Sequence, residues 1–195
     1  MPEAPKVEIV ARALRPLVRG RRIRGCRMVH PVVVPAAQRE SLGPDALSTR
    51  FSPAILADIF RGSDRPVKLV LTDQKRIAGI GNIYCSEPLW RSRLGPRRRA
   101  DSLRSAKIRR LHKAVVSVLK RALECCRNPS PDFRDPEWWF AGLDRILAVY
   151  ERKGEPCRRF GCLPGGTARL AASRRRAVRL IIVRRAKKSA PLRES

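Results

Sequence analysis

The feature that most limits the fold is a long amphipathic segment at residues 102–126. Its apolar residues recur every three or four positions while lysine and arginine fill the other side, a period that predicts an α-helix with one buried face. Asp101 or Ser102 is placed to cap that helix. A single helix cannot cover its own apolar face, so other elements must pack on it. The buried set is predicted to be Ile108, Leu111, Val115, Val118, Ala122 and Leu123.

Most of the remaining chain also has a helical pattern. Residues 3–16 place Val7, Val10, Ala11 and Leu14 on one side of a short amphipathic helix. Residues 32–34 are a β-branched run that predicts one strand without an obvious partner. We therefore predict a mainly α protein with four parts: a helix-plus-strand remnant at 1–34, a linker at 35–50, a helical domain at 51–150 and a basic region at 151–195.

The charge of the chain points to an acidic partner. Among 195 residues, 44 are Lys or Arg and 17 are Asp or Glu, which gives a formal charge of +27. Nucleic acid is the usual partner of so positive a protein, with a membrane surface as the alternative. No apolar run is long enough to span a bilayer and no signal-peptide core follows the N-terminus, so we expect a cytoplasmic, nucleoid-associated monomer. Six cysteines lack a disulfide framework, and we expect most of them, Cys125 and Cys126 included, to be packed thiols.

The chain opens with "MPEAPKVE", in which Pro2 permits two interpretations. Proline favours the first turn of a helix, and Glu3 favours its positive end. If Met1 is removed, however, Pro2 carries a terminal amine whose ordinary pKa of about 7.7 to 8.0 leaves part of it unprotonated and nucleophilic near neutral pH.

A glycine-rich turn lies between two helical stretches, in "DQKRIAGIGNIYCSE". Gly79 and Gly81 form a G-x-G pattern that is too short to indicate a dinucleotide fold. Glycines let the backbone approach a ligand closely, and the following helix offers free N–H groups suited to phosphate. Asn82 adds a side-chain donor at the same place.

Three stretches resemble formamidopyrimidine-DNA glycosylase and its endonuclease VIII relatives, and they follow one another along the chain as in that family. "DQKRIAGIGNIYCSE" resembles the family's helix-two-turn-helix signature, "MPEAPKVE" its N-terminus and "VYERKGEPC" the approach to its zinc finger. The resemblance implies that Pro2 attacks the sugar C1′ and that Glu3 assists protonation. It also implies that Asn82 and Tyr150 hold the phosphate at an extruded nucleotide. We predict DNA binding by Lys68, Gly79, Gly81, Asn82, Tyr150, Arg152 and Lys153.

The chain departs from the family pattern at three places. Lys6 stands where the family usually has glutamate. Most of the family's N-terminal β-sandwich, with its hairpin lysine and gap-filling side chains, is missing between "HPVVV" and "LGPDAL". Cys157 and Cys162 form C-x4-C with no later cysteine, which predicts a zincless finger in which residues 174–176 form a basic tip. Codons permitted for "AVRLIIVRRAKK", read in another frame, can spell Arg-Ser-Ser-Tyr-Tyr-Cys-Pro-Pro-Cys-Gln-Lys, which suggests a frameshift.

Two functions remain open at this point. The first is a bifunctional DNA-formamidopyrimidine glycosylase and abasic-site lyase that removes oxidised purines in base excision repair through Pro2 and Glu3. The second is a non-catalytic module, from a decayed or frameshifted gene, that binds double-stranded DNA through the helix-two-turn-helix region. Neither requires a cofactor, and the preferred lesion stays open because the residues that would read it are missing.

Overall fold

The computed structural model describes residues 3–22, 42–125, 146–152 and 157–158, and the backbone of 168–172 and 179–183. The described part is mainly helical, as predicted. Its elements are α1 (Ala4–Val18), α2 (Pro53–Phe60), α3 (Val67–Leu71), α4 (Asn82–Arg91), α5 (Ser105–Cys125), β1 (Ala168–Ala172) and β2 (Arg179–Val183).

Helix α5 is the element on which the helical core is built. It packs against α4, α2 and α1, and it buries Ile108, Leu111, Val115, Val118 and Ala122. The predicted apolar period is therefore confirmed, with Leu123 only half-buried. Helices α2, α4 and α5 thus contribute side chains to one apolar core.

The predicted caps of this helix are wrong, because α5 begins at Ser105. Asp101 instead forms an ion pair with Arg99 at 2.7 Å. The Ser102 hydroxyl donates to the Arg99 carbonyl at 2.8 Å and accepts from the Arg98 Nε at 3.1 Å. Both polar side chains are used within the preceding turn, so neither is available to the helix N-terminus.

Residues 42–50 pack on the helical unit, although the sequence predicts them as the end of a linker. The Gly43 N–H donates to the Gln74 carbonyl at 2.9 Å, and the Ala78 N–H donates to the Pro44 carbonyl at 3.0 Å. Ala46 is buried in the core. Ser52 then caps α2 by accepting from the Ile55 N–H at 3.3 Å.

The N-terminal helix is present, but it turns a different side to the core than its apolar pattern predicts. Ala4, Pro5 and Ile9 are its buried residues, whereas Val7 is 51% exposed and Leu14 is also exposed. Leu17 and Val18 extend the exposed apolar side. The contacts of its first residues, described below, fix this orientation.

The C-terminal region contains an antiparallel hairpin. Strand β1 pairs with β2 in a register that places Ala168 opposite Val183 and Ala172 opposite Arg179. The predicted strand at 32–34, the basic tip at 174–176 and Cys126 lie outside the described residues.

Of the other cysteines, Cys85 is buried as expected, but Cys125 is exposed because α5 ends there beyond the packed core. None of the described helices has the length and apolarity needed to cross a membrane.

Candidate functional site

The glycine turn between α3 and α4 is held by one side chain. The Gln74 Oε1 accepts from the Gly79 N–H at 2.8 Å, and its Nε2 donates to the Ile80 carbonyl at 2.8 Å. Gly79 has a φ of +88°, which residues with a side chain rarely adopt. The amide of Gln74 therefore replaces backbone pairing and fixes the turn that leads into α4.

The N-terminal residues of the chain dock directly on this turn. The Ala4 N–H donates to the Gly79 carbonyl at 2.8 Å. A Cβ on Gly79 would lie 2.5 Å from the Ala4 Cβ, and a Cβ on Gly81 would overlap the Glu3 side chain. Both glycines thus make room for the N-terminal segment. The sequence analysis predicted that a ligand would approach the backbone at this place. Their DNA contacts stay predictions.

Glu3 occupies the N-terminus of α4. Its Oε1 accepts from the Ile83 N–H at 2.9 Å, and only 5% of the residue is exposed. Free N–H groups at a helix N-terminus favour an anion, so the carboxylate fills a place where a phosphate could otherwise bind. Burial raises the pKa of Glu3, while the N–H groups of Ile83 and Tyr84 and the charge of Lys6 act against that rise. A carboxyl group with a raised pKa can hold and deliver a proton closer to neutral pH.

Asn82 is the first residue of α4 and lies next to this contact. Its backbone carbonyl accepts from the Ser86 hydroxyl at 2.8 Å. The Asn82 Oδ1 is shielded from solvent and has no hydrogen-bond partner within the described part of the chain. An unpaired buried polar atom at a turn is a sign of an unused binding group.

Glu87 ties a distant segment to α4. The residue is fully buried, and its Oε1 accepts from the N–H groups of Ala148, Val149 and Tyr150 at 2.9, 2.8 and 3.0 Å. One carboxylate oxygen therefore orders three successive peptide groups. The sequence analysis did not single out Glu87, although it lies within the quoted signature. Its signal is an acidic residue among the apolar side chains of a short helix.

Two arginines complete this attachment. The Arg91 Nη2 donates to the Ile146 carbonyl at 3.0 Å, and the Arg158 Nη1 donates to the Leu147 carbonyl at 3.0 Å. Tyr150 packs half-buried against the core, and Arg152 follows it half-exposed. The structure thus attaches the Tyr150 backbone to the helix that begins with Asn82, and Arg152 follows two residues later. Their contact with DNA stays a prediction.

The remaining predicted site residues are placed differently. Lys68 is inside α3 with 1% exposure, and burial lowers the pKa of its ammonium group while the nearby Cys85 acts against that change. Its role as a DNA contact stays a prediction. Pro2 and Lys153 lie outside the described residues.

Comparison with known proteins identifies the helical unit. A profile described as the Formamidopyrimidine-DNA glycosylase H2TH domain matches residues 42–131. A formamidopyrimidine-DNA glycosylase of Cytobacillus firmus is 38% identical over 120 residues, which are 62% of this chain and 44% of the relative. The one of Geobacillus kaustophilus is 41% identical over the same length and the same shares. The helical unit of this chain is an H2TH domain of the formamidopyrimidine-DNA glycosylase type.

Solved structures of the family share the fold. The MutM (Fpg) protein of Thermus thermophilus is 37% identical with a TM-score of 0.58, covering 70% of this chain and 53% of that one. The Lactococcus lactis enzyme, solved non-covalently bound to DNA containing an AP site, is 23% identical with a TM-score of 0.59, covering 73% and 50%. This chain spans less than half the length of the two curated relatives.

The zinc site expected of the formamidopyrimidine-DNA glycosylase family does not fit the donors of this chain. Cys157 is half-buried, Cys162 lies outside the described residues, and no cysteine follows them in the sequence. Two thiolates do not close a tetrahedral zinc site. Among the described residues, no three His, Cys, Asp or Glu side chains come together in a way that could hold a metal ion.

Proposed function

We propose that this chain acts in DNA repair as a glycosylase and abasic-site lyase, with Pro2 and Glu3 as its catalytic residues. The observation that carries the proposal is the docking of Glu3 on the first turn of α4, beside Asn82. Glu3 and the turn before α4, which are about 80 residues apart in sequence, are thereby adjacent, and we propose that they form one site. Nothing in a simple DNA-binding helix pair requires this contact.

The proposed reaction follows from the two side chains. The unprotonated Pro2 nitrogen attacks C1′ of the damaged nucleotide, and the bond from C1′ to the base breaks. The departing base takes up the proton that the attacking nitrogen loses. The nitrogen lone pair then forms an iminium ion with C1′ as the bond from C1′ to the ring oxygen O4′ breaks, and O4′ takes a proton that a buried carboxyl group such as Glu3 can deliver. On an abasic site the same amine attacks the aldehyde carbon of the open sugar, and water leaves.

DNA binding is proposed to depend on the turn and on the segment held by Glu87. Asn82, Tyr150 and Arg152 are joined through α4, and the related Lactococcus enzyme was solved on DNA with an AP site. We place Lys68, Gly79, Gly81 and Lys153 in the same proposed interface. The contacts are to phosphates, so affinity should fall steeply with salt. Asn82→Ala should weaken binding by about 1 to 3 kcal/mol, and an unchanged affinity would remove Asn82 from the interface.

A second candidate is a DNA-binding module without catalysis. It is favoured by the apolar side of α1, where Val7, Leu14, Leu17 and Val18 are exposed and no described residue covers them. Lys6, which the resemblance places at a usual glutamate, also changes the charge beside Glu3. In this case the site holds DNA but forms no covalent intermediate.

Borohydride trapping on a duplex with one abasic site separates the two candidates. Chain with Met1 removed should give a covalent adduct, Pro2→Gly should retain some adduct through its primary amine, and an extension ahead of Pro2 should abolish it. Binding without any adduct would establish the second candidate. Equal trapping by the extended chain would assign the adduct to a lysine and end the case for Pro2.

We further propose that the finger region works without zinc. Purified chain should contain well under one zinc per molecule, because a tetrahedral zinc site needs four ligands and the finger region supplies two cysteines. Metal analysis that finds one tightly bound zinc per chain would overturn this.

A further inference from the structure

Helix α5 has a strongly basic side that the proposed site does not use. Its exposed cations lie within about 120° of the helix circumference and extend over about 18 Å of its length. The opposite side is buried against the other helices. We call this set the α5 strip: Arg109, Arg110, Lys113, Lys120 and Arg121.

The α5 strip gathers on one helix face five exposed cations that form no ion pair with the described residues, whereas several exposed arginines elsewhere are paired. Arg15 pairs with Glu8 at 3.4 Å, Arg61 with Asp58 at 2.7 Å, and Arg99 with Asp101 at 2.7 Å. None of the five strip cations has a carboxylate within 4.0 Å among the described residues.

Like charges four residues apart disfavour a helix, as for Arg109 and Lys113. An anionic ligand would remove this repulsion.

We propose that the α5 strip is a second DNA-binding surface, which holds the phosphate backbone of duplex DNA in addition to the turn. The inference rests on the proposed function in taking DNA as the partner. A row of cations along one helix matches the continuous charge of a DNA backbone, which needs no base contacts.

The surroundings of the strip favour DNA over an anionic membrane. A helix that lies on a membrane buries an apolar face in the lipid. In α5 the apolar face is already packed in the core, and the exposed positions between the cations are Ala106, Ser117 and Glu124. The strip thus offers charge but no side chain for insertion.

The test uses the full chain and an undamaged duplex, with affinity measured by fluorescence anisotropy at several NaCl concentrations. The strip variant is Arg109→Gln, Arg110→Gln and Arg121→Gln. The matched control is Arg15→Gln, Arg61→Gln and Arg99→Gln, which removes the same charge from exposed arginines that have acidic partners. Circular dichroism verifies equal helix content.

The strip variant should lower the slope of log K against log salt by about 2.7, and the control by less than about 1. If the slope falls equally in both variants, the overall positive charge of the chain explains binding and the proposal is overturned. A slope that is unchanged in the strip variant would also overturn it. Retained DNA binding with lost binding to phosphatidylserine vesicles would assign the strip to membranes instead. If only the strip proposal is wrong, abasic-site trapping and the loss of DNA affinity in Asn82→Ala should still be observed. If the proposed function is wrong, neither should be observed.

Discussion

Glu87→Gln should release the segment that carries Tyr150 and Arg152 without unfolding the helices. In the folded chain one side-chain oxygen of Glu87 accepts three backbone N–H groups at 2.8 to 3.0 Å in a fully buried position. The neutral oxygen of glutamine can occupy the same place with almost the same shape. The variant therefore keeps the volume of the side chain but removes the charge of the acceptor, and it places an amide donor where the Oε2 accepts from the Ala148 N–H at 2.9 Å.

The size of the effect follows from these three bonds. A hydrogen bond to a charged group contributes about 1.5 to 3 kcal/mol and a neutral one about 0.5 to 1.5 kcal/mol, so each bond should weaken by about 1 kcal/mol. Glutamine also avoids the cost of burying a charge, which offsets part of the loss. We expect a net loss of about 1.5 to 3 kcal/mol in the local opening free energy, or about 10- to 150-fold faster exchange.

Amide hydrogen exchange of Ala148, Val149 and Tyr150 measures this directly. Glu124→Gln is the matched control, because it removes the same charge from an exposed position on α5. Exchange at the three amides should accelerate in Glu87→Gln and stay unchanged in the control. Unchanged exchange in Glu87→Gln would refute the account of how this segment is held.

Two further predictions follow from buried groups. Gly81→Ala should destabilise the fold by about 1 to 3 kcal/mol because the new methyl overlaps the Glu3 side chain, whereas Gly95→Ala meets no atom within 4 Å and should change little; equal denaturant midpoints would contradict this. The folded chain has a lowered pKa at Lys68, so the unfolded chain binds more protons between that pKa and the ordinary 10.5. The free energy of unfolding should therefore rise with pH in that window, and Lys68→Met should remove this rise; parallel curves for the two proteins would refute it.

Local pattern predicted the helices better than it predicted their contacts. The period of α5 is a property of neighbouring residues, and it identified both the helix and its buried face. The same reasoning chose the wrong side of α1, because the orientation of that helix depends on the docking of Glu3 and Ala4 on a turn far away in sequence. An exposed Val7 and a buried Ile9 follow from that contact rather than from the apolar stripe.

In the candidate site, too, local sequence pattern predicted the elements, whereas contacts between residues distant in sequence were missed. Gly79, Gly81 and Asn82 were found from a short motif whose glycines indicate close approach, although the approaching group in the structure is the N-terminal segment. Glu87 was missed because its three partners lie 61 to 63 residues away and are backbone groups that no side-chain pattern reveals. Lys68 was predicted as a DNA contact, which needs an accessible ammonium group, whereas the structure buries it.

The most direct test of the docked N-terminus is the amide proton of Ile83, followed by NMR as pH changes. Because the Ile83 N–H donates to the Glu3 carboxylate at 2.9 Å, its chemical shift should titrate with that group. Burial raises the Glu3 pKa, so the midpoint should lie above the ordinary value of 4.5, and Glu3→Gln should abolish the titration. A shift that does not respond to pH, or that titrates equally in Glu3→Gln, would contradict the joining of the N-terminus and the turn into one site.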